Sequence, residues 1–287
     1  MDLFLTRSSR IHLSGMNHKN TDMMFPRAPI AISSIASLFI VAALWADEEP
    51  KQSSSSLEGQ FKALLEEAEE VEPPREFAGK FMELAEKHPQ DPIAVDALIW
   101  IVTNVRRGSE LTGAMNTLAN DHVENEKLAP VFAGLIEKPS LAAEKLLRAA
   151  LEKNPHKKVQ AQACFQLAAY LRDEARLRNS LMAQPDHRRF EQYYGKEFTK
   201  HLAAIDEKKL TEEIEHLYER IVESFADVPT DDGPTLGESA KLELFAIRNL
   251  ALGKTAPEIQ SEDLDGERFK LSDYRGKVVV LDFWGHW

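Results

Sequence analysis

A change of hydrophobic period at Gly253 constrains this chain more than any other feature. From Leu57 to Leu252 apolar residues return every three or four positions among Ala, Leu, Glu and Lys, and prolines close the periodic runs. That pattern predicts helices throughout. Phe61, Leu64, Leu65 and Ala68 make one apolar face, Phe77, Phe81, Leu84 and Ala85 the next, and Val95, Leu98, Ile99 and Val102 a third. Past Gly253 the text becomes that of strands. An Asp265-Gly266 turn between short extended pieces predicts a hairpin. The continuous apolar run Val278–Phe283 has the pattern of a central parallel strand buried on both faces. The expected fold class is mainly α, with the first β elements of a second domain at the C-terminal end.

The helical text also repeats loosely. Ala143–Pro155 resembles the second helix of a tetratricopeptide unit, with small residues at Ala143 and Ala150, a bulky Leu147 and a closing Asn-Pro. Related closures are Phe81–Pro89 and Tyr218–Pro229. Their spacing is near, but not equal to, multiples of a unit of about 34 residues. A degenerate, TPR-like array of helical hairpins is expected over 57–252, each pair burying its stripe on the next. Packing alone explains every apolar position named; a protein or peptide partner on a concave face is the other reading.

Ahead of the array, Arg27 precedes an apolar run from Ala28 to Trp45 that ends in Ala42-Ala-Leu-Trp-Ala46 before Asp47. Basic flank, apolar core and small-residue exit are those of a secretory signal cleaved after Ala46. Met23 or Met24 would be the more ordinary start for it. The same run, about 17 residues, is just long enough to act as an uncleaved anchor instead. Residues 1–46 are therefore read as signal peptide or anchor, and 47–56, with Pro50-Lys-Gln-Ser-Ser-Ser-Ser56, as a polar linker. Both readings place the remainder outside the cytoplasm, in the periplasm or cell envelope.

Composition narrows the chemistry. With 47 acidic against 35 basic residues and a formal charge of -12, no basic patch for phosphates is present, so no nucleic-acid partner is expected. Cys164 is the one cysteine. It sits in Ala161–Tyr170, an apolar mid-helix setting where a thiol behaves as a small hydrophobe rather than a nucleophile. The nine histidines show no metal-ligand spacing. Glu212 and His216, four apart, are expected as a solvated pair. Phe190-Glu-Gln-Tyr-Tyr-Gly195 is expected as a helix face and turn. Neither a phosphate-binding glycine loop nor a Gly-x-Ser-x-Gly elbow occurs, and no metal or cofactor is expected.

Gly253, Ala256 and Pro257, then Leu271-Ser-Asp-Tyr-Arg-Gly-Lys277, then the apolar run into Phe283-Trp-Gly-His-Trp287 follow one another in an order that resembles the opening of a redoxin domain. That thioredoxin-like group includes the peroxiredoxins and TlpA-like envelope thiol-disulfide oxidoreductases. In it the strand leads into Phe-Trp-x-x-Trp-Cys-x-x-Cys. The resemblance implies protein thiols and disulfides as partners. It also implies that the catalytic cysteines would follow directly after Trp287, so no catalytic residue is expected within the chain.

By the same resemblance Asp282 occupies the place of the buried acid of thioredoxin, where many TlpA-like proteins have Asn. There it would assist proton removal from the resolving thiol. Trp284 and Trp287 would form an apolar rim beside the active-site loop, and His286 is a variable neighbour able to lower a thiolate pKa. The expectation for this polypeptide is therefore a truncated thioredoxin fold, inactive as it stands, with a non-enzymatic helical-repeat interaction protein as the alternative. Selenocysteine read-through, a nonsense mutation, a frameshift and an incomplete gene are the explanations left open; the codons after Trp287 distinguish them.

Overall fold

The computed structural model describes residues 56–69, 74–230, 233–263 and 265–282. The candidate signal 1–46, almost all of the linker 47–56, and Phe283, Trp284, His286 and Trp287 lie outside the described residues. The described residues fall into two compact units, one holding 56–251 and the other 252–282.

The first unit is helical, as expected. Its helices are α1 (Leu57–Glu69), α2 (Ala78–Lys87), α3 (Pro92–Asn104), α4 (Ser109–Asp121), α5 (Leu141–Lys153), α6 (Lys157–Met182), α7 (Arg188–Tyr194), α8 (Lys196–Ala204), α9 (Glu207–Ser224) and α10 (Leu236–Asn249). Local chemistry sets many of the ends. Asp91 accepts from the Ile93 amide at 2.9 Å and Pro92 takes the first helical position of α3. Ser140 caps α5 through the Ala143 amide, and Asp206 caps α9 through the Lys208 and Lys209 amides. Thr235 and Glu238 form a reciprocal capping box on α10. Asn154, next to Pro155, is buried, and its amide nitrogen donates to the Val123 and Asn125 carbonyls, so the end of α5 is tied to the segment after α4.

The three apolar faces read from the sequence all point inward. Phe77, Phe81, Leu84, Ala85, Val95, Leu98 and Val102 are buried, with Phe61, Leu64, Leu65 and Ile99 packed against them. Phe81 stacks on Trp100 at a centroid distance of 4.0 Å. Consecutive helices from α2 to α6 pack on one another, and α6 also contacts α8, α9 and α10. Two features depart from an even row of hairpins: α6 is 26 residues long, and Glu126–Leu135 is a 3₁₀ stretch containing Pro130. A small separate cluster, Leu181, Phe190, Phe198 and Leu202, joins the end of α6 to α7 and α8. The Phe190–Gly195 aromatics are the face of α7, and Gly195, at φ 86°, makes the turn into α8.

In the second unit, β1 (Gln260–Glu262) pairs antiparallel with β2 (Arg268–Lys270), with Ser261 opposite Phe269. The expected turn is present. The Asp263 carboxylate accepts from the Asp265 and Glu267 amides, and Gly266 supplies the positive φ of 82°. The expected strand over Val278–Phe283 is corrected over its described part. Residues 278–282 have no ladder partner among the described residues, and Val278 and Val280 are 97% and 86% exposed. A central strand exists only between neighbours that take up its amides and cover both faces; among the described residues the ladder formed is the two-stranded hairpin alone.

Candidate functional site

The C-terminal unit positions its motif residues with short-range bonds. A 3₁₀ turn covers Leu271–Tyr274, the centre of the Leu271–Lys277 motif. The Glu258 carboxylate accepts from the Ser272 amide and Asp273 from the Lys270 amide, both at 2.9 Å. Through these bonds the segment just after Pro257 is stapled across to the motif, and the Ser272 hydrogen bonds hold the Glu258 carboxyl below its usual range. Phe269 and Tyr274 meet edge to face, with the Lys277 ammonium 5.6 Å from the Tyr274 ring centre. Asp282 is exposed. Trp284 and Trp287, its expected companions, lie outside the described residues.

Cys164 is fully buried in α6, and its Sγ donates to the Leu217 carbonyl at 3.4 Å. Burial pushes its thiol up to about 12, only partly offset by Arg220. Buried, and with its thiolate disfavoured, it has the setting of a structural cysteine rather than that of a nucleophile. The expected Glu212–His216 pair is not formed. His216 instead contacts Glu219 at 3.2 Å, one residue nearer, while Glu212 faces Lys208; Glu219 is in turn bonded by Arg248. Both i,i+3 and i,i+4 neighbours share a helix face, so spacing alone could not choose between them.

Sequence reasoning missed one constellation. Glu144 from α5, Glu174 from α6 and His201 from α8 place three potential ligand atoms within 4.8 Å of one another. His201 Nε2 is 3.5 Å from Glu174 Oε1 and 3.7 Å from Glu144 Oε2. Arg148, one turn along α5, donates Nε to Glu144 Oε1 at 2.7 Å and Nη1 to Glu213 at 2.5 Å. Desolvation, reinforced by Glu144, raises the Glu174 carboxyl above its ordinary range, with His201 and Arg148 opposing. The pairing with Glu174 raises His201. No local spacing announces this group, because its members come from three separate helices. The available sign was a glutamate at position 174, on the buried stripe that Cys164, Leu167 and Leu171 continue along α6.

Among the described residues no helix is long and apolar enough to cross a membrane; the apolar run 28–45 lies outside them. No family model matches the chain, and no solved structure does. Over 38 residues, 13% of its length, the chain is 53% identical to thiol-disulfide oxidoreductase ResA of Geobacillus thermodenitrificans and 55% identical to ResA of Geobacillus kaustophilus. Over 53 residues, 18% of its length, it is 46% identical to ResA of Bacillus subtilis. It spans 22% of the length of the first two relatives and 30% of the third. The chain thus carries, within a mainly helical protein, a short stretch similar to thioredoxin-like thiol-disulfide oxidoreductases.

Proposed function

We propose that residues 253–287 are the opening of a redoxin domain of the ResA and TlpA kind, acting outside the cytoplasm on protein thiols and disulfides. In this reading 1–46 is the export signal or anchor, 47–56 the linker, and 57–252 a TPR-like domain that positions or selects substrates. The observation that carries it is the 53% identity to ResA over 38 residues, a length close to that of the segment bearing Gly253, Ala256, Pro257 and Leu271–Lys277.

Exchange needs a thiolate and, usually, a second thiol to resolve the mixed disulfide. Cys164 offers neither, so the reading assigns the reactive cysteines to positions after Trp287, where the family motif has them. Asp282 then serves as proton acceptor for the resolving thiol, and Trp284 and Trp287 as the apolar rim. The 287-residue polypeptide alone is expected to reduce insulin no faster than the dithiol reductant does by itself. A chain extended through a continuing frame that encodes Cys-x-x-Cys is expected to accelerate it. Turnover by the 287-residue chain that disappears in Cys164→Ala would overturn the assignment, as would a continuing frame with neither cysteine nor an in-frame UGA directly after Trp287.

A further inference from the structure

We propose that Glu144, Glu174 and His201 form a site for a divalent transition-metal ion of the zinc class. The inference is independent of the redox reading of the C-terminal segment. A tetrahedral ion with bonds of about 2.0–2.1 Å sets its ligand atoms roughly 3.3 Å apart. A charge-assisted N–H···O bond would instead draw nitrogen and oxygen to about 2.7–2.9 Å. The His201 Nε2 separations of 3.5 and 3.7 Å lie near the metal value and well beyond the hydrogen-bond value.

A second observation points the same way. Glu174 Oε1 and His201 Nε2 are buried atoms without a hydrogen-bond partner, and Glu174 is 1% exposed. A buried carboxylate oxygen held from an imidazole nitrogen at ion-pair distance, with no hydrogen bond made by either atom, is costly; one cation between them satisfies both atoms. The surrounding charge matches that cation. With Glu174 ionised and the imidazole neutral, the protonation state that a bound cation selects, Glu144, Glu174 and Glu213 against Arg148 leave two negative charges.

Arg148 also gives the site its second layer. Its bond to Glu144 Oε1 leaves Oε2 to face His201, the usual way an outer partner orients a ligating carboxylate. Three protein ligands leave a fourth position for water. The partial exposure of the His201 side chain, 31%, leaves the trio open to solvent on that side.

The test is equilibrium dialysis of the chelator-treated full chain against Zn²⁺, with Co²⁺ as a spectroscopic probe. One Zn²⁺ per chain and the visible absorption of four-coordinate Co²⁺ are expected. His201→Ala and Glu174→Gln should each weaken Zn²⁺ binding roughly 100-fold or more, while His216→Ala, at an exposed histidine remote from the trio in sequence, leaves it unchanged. Circular dichroism of each variant checks that the helices persist. Binding retained within a few-fold in His201→Ala, or no stoichiometric Zn²⁺ in the unmodified chain, overturns the site. Should both ligand variants unfold, histidine-ring NMR of the unmodified chain decides: Zn²⁺ shifts confined to His201 support the site, and shifts confined to other histidines refute it.

Discussion

At Gly237 two effects of a single methyl group oppose each other. The residue lies in the first turn of α10, where alanine ordinarily favours a helix by up to about 1 kcal/mol. A Cβ there would stand 2.6 Å from Ala226 Cα and 2.8 Å from its carbonyl oxygen, backbone atoms that cannot rotate aside. Overpacking of this kind costs about 1–3 kcal/mol, so repulsion wins. Gly237→Ala is expected to lower the free energy of unfolding by about 1–2 kcal/mol in urea melts; an unchanged midpoint would mean the turn at Ala226 yields freely. Cys164 supplies a test with pH. Its thiol stands at about 12 in the fold against 9.0 for the free group. Between those values the unfolded chain has released a proton that the folded chain keeps, so stability falls as pH rises, by at most about 1.4 kcal/mol per unit. Cys164→Ala removes that loss. Its packing deficit relative to the native chain should therefore shrink between roughly pH 8.5 and pH 10.5, and a constant gap would show that the thiol ionises normally in the fold. The inertness of Cys164 was legible in its apolar neighbours. The clash at Gly237 was not, since Ala226 precedes it by a loop whose path no local pattern specifies.

Between elements, a paired polar tie joins α5 to α6. The Tyr170 hydroxyl accepts from the Ser140 amide at 2.8 Å and donates to the Ser140 carbonyl at 2.9 Å, holding the capping residue of α5 against the middle of α6. Tyr170→Phe leaves the partly buried Ser140 amide without its partner, while the Ser140 carbonyl still accepts from the Ala143 and Glu144 amides, and is expected to cost about 1–3 kcal/mol by denaturant titration. Ser140→Ala, which removes the cap together with the hydroxyl's weaker contacts to the Lys138 carbonyl and Met115, should cost about 1 kcal/mol. Tyr170→Phe falling below Ser140→Ala would show that water replaces the hydroxyl. Helix faces were readable because Phe81, Leu84 and Ala85, or Val95, Leu98 and Val102, recur at helical spacing and are buried together. The length of α6 and the 3₁₀ stretch around Pro130 were not. Asn-Pro and similar closures mark where a helix must stop, but not whether a neighbour lets it run on.

Across the whole molecule the two units differ in how their apolar residues are used. In the helical unit Phe81, Leu98, Ile101, Leu118, Phe132 and Leu146 are wholly enclosed, whereas Val278, Val279, Val280 and Leu281 remain exposed. Amide exchange is therefore expected to be slow through α3–α6 and fast over residues 278–282, because unpaired amides open to water without a global transition. An apolar edge of this kind also invites pairing between chains. Val278→Lys with Val280→Lys should reduce self-association in sedimentation without changing the melting of the helical unit. Protection of 278–282 in a monomer would contradict both expectations.

The sequence by itself determined the mainly helical class, which residues face inward on the first three helices, the hairpin around Gly266 and the inert setting of Cys164. Each of these is signalled by residues a few positions apart, whose spacing sets which side chains share a face or a turn. Only the tertiary structure decided that Glu144, Glu174 and His201 meet and that His216 turns to Glu219. Those outcomes depend on where separate elements come to lie, or on which of two equivalent neighbours a side chain takes. Burial and distance settle such choices, and hydrophobic periodicity carries no record of them.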